Sequence, residues 1–198
     1  MLSLTRRRAV LLLVAALPGF GEGLSKGDRD RGLSELHGAR KLTLDAVAGL
    51  TAAQWRFKPA PERWSIAEVM EHLVITERAL LGMTRKLAAS TPSSEPSPMK
   101  DDELLQMLTD RRQPVAAPET LAPTGRFGPG AENAHQYRTA RDESLDFLRS
   151  TPEDLRRFRT KMPVGVVDGY QLLLYIAGHN YRHLAQIAEI KAHPNYPR

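Results

Sequence analysis

Apolar residues recur at helical spacing in four long stretches of the chain, separated by breaks rich in proline, glycine and serine. From about Asp30 to Leu50, the positions Leu33, Leu36, Leu44, Val47 and Leu50 predict a first helix. Thr51-Ala52-Ala53-Gln54 then reads as a capping box opening a short helical turn, and Pro59 and Pro61 follow in an extended stretch. A second capping box, Ser65-Ile66-Ala67-Glu68, starts a second long helix reaching about Ala89, with Ile66, Val69, Leu73, Leu80 and Leu87 on its apolar stripe. Residues 90–98 (STPSSEPSP) form a loop, and Asp101 to Arg112 can make a short helix. Residues 113–130 are rich in proline and glycine, and a loop of that length reads either as a functional lid or as a plain surface excursion.

A third helix is predicted from about Ala131 to Arg149, with Tyr137, Leu145 and Leu148 inward. Thr151-Pro152-Glu153-Asp154 starts a short turn. A fourth helix runs from about Gly169 to Ala192, with Asp168 as its N-cap and an end before Pro194. No segment alternates apolar and polar residues well enough to predict a strand. The expectation is an all-α protein, a four-helix bundle with a long Pro-rich loop between its second and third long helices.

Composition narrows the chemistry more than the fold. The 198 residues include no cysteine, which removes disulfides, thiolate nucleophiles and thiolate metal ligands. The net charge of +5 is mild, and its basic residues are scattered without an aromatic-interleaved stripe, so no nucleic-acid partner is expected. Residues 1–23 have the pattern of a signal peptide: Arg6-Arg7-Arg8, the apolar run Ala9 to Leu17, then Pro18-Gly19 and small residues at cleavage spacing. Thr5-Arg6-Arg7-Arg8-Ala9-Val10 is also similar to a twin-arginine signal. The run falls short of the roughly 20 residues that span a bilayer, so no stable membrane anchor is expected. The expected location is the periplasm, by a Sec or twin-arginine route, with a folded domain over residues 24–198. A mis-assigned start codon would instead leave the protein in the cytoplasm.

The fourth helix carries the informative chemistry. Its inward stripe reads Leu172, Ile176, His179, His183, Ile187, Ile190, which puts two histidines one turn apart in the middle of a buried seam. Imidazoles taken out of water need partners for both ring nitrogens. On the second helix, His72 falls beside the stripe between Val69 and Thr76 and offers a third ligand. Three imidazoles on two helices leave coordination positions open, as catalytic metal sites do. The alternative is a set of core histidines bonded to neighbours such as Glu68 or Tyr175. His37, His135 and His193 read as ordinary surface or tail residues.

Two segments carry a family resemblance. Arg63-Trp64-Ser65-Ile66-Ala67-Glu68-Val69-Met70-Glu71-His72-Leu73 resembles the W-S-x-x-E-x-x-x-H-L segment of the DinB-like superfamily. Gly178-His179-Asn180-Tyr181-Arg182-His183-Leu184-Ala185-Gln186-Ile187 resembles its C-terminal helix, with H-x3-H followed by glutamine. The resemblance implies up-down-down-up topology, frequent homodimers, and a divalent transition metal on His72, His179 and His183. Zinc or nickel comes first, then iron or manganese. Some relatives are thiol S-transferases using bacillithiol or mycothiol.

The functional expectation is therefore a metal-dependent enzyme acting on a small molecule, by thiol S-transfer or metal-assisted hydrolysis. The alternatives are a non-enzymatic metal-binding or stress-response module, or a dimerising bundle whose histidines bond internally. Three residues are candidates for catalytic roles, each with a plainer alternative: Glu68 as a capping-box residue, Gln186 as a polar residue at the seam's edge, and Arg141 as an arginine snorkelling to the surface.

Overall fold

The computed structural model describes residues 23–112 and 116–198. The signal-peptide reading covers residues 1–23, of which all but Gly23 lie outside the described residues, as do residues 113–115 of the Pro-rich loop. Six helices and one hairpin follow in the order α1 (Lys26–Val47), α2 (Ala52–Arg56), α3 (Ile66–Ala88), α4 (Asp101–Thr109), α5 (Ala131–Ser150), β1 (Arg159–Met162), β2 (Gly165–Asp168) and α6 (Gly169–Lys191). Short 3-10 turns lie at Glu119–Leu121 and Leu155–Arg157. No helix among the described residues is long and apolar enough to cross a membrane.

Local signals set the helix ends. Thr51, Ser65 and Asp168 each form a complete capping box, with Gln54, Glu68 and Gln171 as the reciprocal partners. The apolar stripes are buried where expected: Ile66, Val69 and Leu73 on α3, Tyr137, Leu145 and Leu148 on α5, Leu172, Ile176 and Ile187 on α6. The turn expected from Thr151 starts three residues later, with Asp154 as the cap whose side chain accepts from Arg156.

The four long helices form a square in which α1 and α3 each pack on both α5 and α6. Side-chain ties give the directions. Arg29 at the start of α1 donates to Leu148 and Thr151 carbonyls at the end of α5, so those two run antiparallel. Lys191 at the end of α6 donates to the Ala46 carbonyl at the end of α1, so those run parallel. Asn133 at the start of α5 donates to the Ala67 carbonyl at the start of α3, so that pair is parallel too. The bundle is up-down-down-up. Arg156 completes the α1–α6 end, reaching Asp28, Asp101 and Asp168 and so joining the first turns of α1 and α4 to the cap of α6.

Two parallel neighbours need a connection that returns along the bundle. At about 1.5 Å per residue α3 is roughly 34 Å long, which explains the length of the α3–α5 connection. Its first part carries α4, which lies on α6 at Gly178. A Cβ there would stand 2.9 Å from Leu108 Cδ1 and 3.1 Å from Leu108 Cβ, so a larger residue would force Leu108 to shift. The second part is the Pro-rich loop.

The hairpin corrects the expectation of no strands. β1 and β2 pair antiparallel, Arg159 with Asp168 through Met162 with Gly165, leaving Pro163-Val164 as a two-residue turn. Four-residue strands are too short for alternation to show against the helical background. The turn depends on Gly165, whose φ of +126° is closed to other residues.

Candidate metal centre

Capping and amphipathicity place the three histidines. The Ser65 box sets the register of α3, and His72 follows two turns later, almost fully buried at 3% exposure. The Asp168 box does the same for α6, which brings His179 and His183 to the seam facing α3. His183 is buried and His179 is mostly buried, with a small part of its surface exposed. Since α3 and α6 run antiparallel, the first third of one meets the middle of the other.

The rings converge through their Nε2 atoms. His72 Nε2 lies 3.2 Å from His179 Nε2, and His183 Nε2 lies 3.0 Å from it. One ligand atom from each histidine falls within 4.8 Å of the others. Outer partners orient two rings. His72 Nδ1 lies 2.8 Å from the Leu121 carbonyl, which can only accept, so that nitrogen carries the proton. His183 Nδ1 lies 2.8 Å from Gln186 Oε1 and is oriented the same way. Both Nε2 atoms then present lone pairs toward His179 Nε2, which has at most one proton to offer. At least one of the two close contacts is therefore lone pair against lone pair, and a shared cation relieves it. Tetrahedral coordination at about 2.05 Å separates two ligand nitrogens by roughly 3.3 Å, close to the spacings found. The donor set fits a divalent transition metal.

Electrostatics keeps the rings neutral. Burial lowers all three imidazole pKa values, with His183 pushed down to about 3 by burial and the neighbouring His72. Neutral imidazole is the form that binds metal. The sign of the linkage follows. Below about pH 6.5 the unfolded chain binds protons that the folded site refuses, so the histidines' contribution to the stability of the metal-free protein falls as pH drops from about 6.5 toward 3 and is constant above. Urea titrations of chelator-stripped protein from pH 8 to 4 measure this. Equal midpoints in wild type and in a His183→Gln variant across that range count against the burial-driven shift.

Aromatic rings wall the site. Trp64 lies 4.8 Å from His72 and stacks on His183 at 6.2 Å between centroids, and Tyr175 lies 6.4 Å from His179. Arg111 and Arg182 contribute positive charge near His183.

The remaining candidates are spread more widely. Gln186 belongs to the centre through His183. Glu68 is engaged elsewhere: Oε2 accepts from the Ser65 N–H at 2.7 Å and hydroxyl at 2.8 Å, and Oε1 faces Lys58 Nζ at 2.7 Å. Arg141 does not snorkel. It is fully buried at the bundle centre, bonded to both Glu77 oxygens and to the Leu36 carbonyl. His37 and His135 are exposed, and His193 packs on Phe57 in the tail. Sequence reasoning did not single out the Leu121 carbonyl or Glu71. A backbone acceptor leaves no residue-type signal, whereas Glu71 had one, a carboxylate beside His72 on the inward side of α3.

The comparisons with known proteins agree with this architecture. The uncharacterized protein YuaE of Bacillus subtilis (strain 168) is 27% identical over 162 residues, spanning 80% of this chain and 96% of that protein. The solved structure of YfiT from Bacillus subtilis, described as a probable metal-dependent hydrolase with an unusual four-helix bundle topology, superposes with a TM-score of 0.57 at 16% identity. It covers 89% of this chain and 93% of its own, a likeness of fold. The sequence profile of the DinB superfamily matches residues 35–187, a span that holds all three converging histidines and all four long helices but the first turns of α1 and the end of α6. The chain belongs to the DinB superfamily.

Proposed function

We propose that the chain is a metal-dependent hydrolase of small-molecule substrates, with zinc or nickel held by His72, His179 and His183. The observation that carries this reading is the convergence of three Nε2 atoms, two of them with their Nδ1 protons placed on acceptors. A divalent metal held by the three neutral imidazoles of His72, His179 and His183 would supply Lewis acidity and the means to activate water near neutral pH. A separate general base is then unnecessary, which accords with Glu68 being committed to its cap and to Lys58.

The chain's own residues define the rest. Leu121 and Gln186 hold the His72 and His183 rings in the ligand tautomer. Trp64 closes one side against water, and reactants approach from the side of His179, the most exposed of the three. Tyr175 stands on that side, and burial raises its pKa, so its phenol keeps a proton to donate to a developing anion.

The test is turnover of an activated ester by chelator-stripped protein reloaded with zinc or nickel. Hydrolysis should rise with pH through about 7 and vanish in His179→Ala. Consumption of a thiol with an electrophile, without ester cleavage, would move the assignment to thiol S-transfer. Stoichiometric metal without either reaction would make the chain a binding module.

A further inference from the structure

Glu71 has no part in the chemistry above, yet it is among the most buried charges of the chain at 1% exposure. A carboxylate taken out of water is tolerated only when its oxygens are met by donors. Here every donor comes from the Pro-rich loop. Oε1 accepts from the Thr124 N–H at 2.7 Å, the Thr124 hydroxyl at 3.3 Å and Arg126 Nε at 3.2 Å. Oε2 accepts from the Gly125 N–H at 2.8 Å. Two consecutive N–H groups on one anion make a backbone nest, which Gly125 permits through its φ of +81°.

The nest lies a short, stiff distance from the metal centre. Only Ala122 and Pro123 separate Thr124 from Leu121. Ala122 is extended, at φ −69° and ψ 142°, and proline restricts Pro123. Leu121 ends the 3-10 turn Glu119–Leu121, where the last carbonyls have no partner within the turn. Its carbonyl takes the His72 Nδ1 proton at 2.8 Å. Glu71 and His72 are neighbours on α3, so two adjacent side chains grip one strap at two points. Asn133 adds a third hold by donating to the Gly128 carbonyl at 3.1 Å.

We propose that Glu71 is a positioning residue for the metal centre: by clamping Thr124 and Gly125 it keeps the Leu121 carbonyl on His72, so strap closure and metal binding reinforce one another. The inference rests on the metal reading above. With the strap clamped, the His72 ring is fixed with Nε2 toward His179. With the strap released, that orientation loses its 2.8 Å acceptor and keeps only Thr76 Oγ1 at 3.5 Å. Outer-shell partners of this kind typically change metal affinity by about 10–100-fold. Binding linkage is reciprocal, so the metal tightens the strap by the same factor.

Two measurements test it. Zinc affinity is read by competition with a chromophoric chelator in wild type and Glu71→Gln. Backbone amide exchange at Thr124 and Gly125 is followed with and without zinc. The expected results are a loss of about 10–100-fold in zinc affinity for Glu71→Gln and slower exchange of both amides in zinc-loaded wild type. A merely structural Glu71 would lower the melting temperature of the metal-free protein while leaving the zinc affinity of the folded variant at the wild-type value, and that result overturns the proposal. Should Glu71→Gln fail to fold, Arg126→Ala removes one exposed partner of the same carboxylate, and wild-type exchange unchanged by zinc is decisive against. Wild type that binds no zinc overturns the metal reading as well. Wild type and Glu71→Gln that bind zinc equally overturn the coupling alone.

Discussion

Zinc at a hundredfold excess over its wild-type dissociation constant is expected to raise the melting temperature of wild type by roughly 5–10 °C, and His179→Ala at the same zinc concentration is expected to keep no more than about 1–2 °C of that shift. A ligand at that excess stabilises the folded state by about 2.7 kcal/mol. For a domain of this size each kcal/mol moves the midpoint by about 2–4 °C. His179 is chosen because its Nε2 is the shared neighbour of the other two, at 3.2 Å from His72 and 3.0 Å from His183. Removing it leaves two nitrogens on opposite helices with nothing between them. Full zinc sites are worth on the order of 10–16 kcal/mol, so one ligand accounts for roughly 3 kcal/mol, or two orders of magnitude in affinity. Gln186→Ala should act in the same direction but less, by about tenfold, because it frees the His183 ring without deleting a ligand. Calorimetry with and without zinc reads both. A zinc shift in His179→Ala equal to that of wild type would place the metal elsewhere.

How far this site can be read from sequence depends on the kind of atom. The three converging histidines are legible because histidine on an inward stripe is chemically out of place. His179 and His183 share a seam with Leu172, Ile176 and Ile187, which are buried on α6. The helices are legible because Thr51, Ser65 and Asp168 announce their starts. Arg141 shows the opposite case. Periodicity put it on the α5 stripe, but an arginine there reads as a surface residue until its partner is known, and that partner, Glu77, lies 64 residues earlier on α3. The hairpin escaped because its strands are four residues long. The Leu121 carbonyl escaped because any residue type carries one. What sequence hides is therefore mostly the work of backbone atoms and of long-range pairs.

That long-range pair gives the largest expected loss of stability. Arg141→Met should destabilise the protein by about 3–5 kcal/mol, a fall in melting temperature of roughly 10 °C or more. Both side chains of the Glu77–Arg141 pair are completely enclosed, with Nε to Oε1 at 2.7 Å and Nη2 to Oε2 at 3.0 Å. Burial works against the guanidinium charge, and the Glu77 carboxylate more than restores it. Methionine fills much of the space but leaves the carboxylate in the core with only the Ser144 hydroxyl, at 2.9 Å, as donor. The Leu36 carbonyl on α1 loses its side-chain donor as well and keeps only its bond within the helix. The double variant Glu77→Leu, Arg141→Met should regain most of the loss, since an apolar pair carries no charge to desolvate. Denaturant titration of the three proteins separates the cost of the orphaned charge from that of lost packing. A double variant as unstable as Arg141→Met would mean that the pair holds the bundle by shape and not by charge. Metal stoichiometry should remain that of wild type in every folded variant. The network leaves the pair through Tyr137, whose ring faces the guanidinium at 5.5 Å and whose hydroxyl donates to Asn180 at 2.6 Å, and so supports α6 beside His179 without contributing a ligand.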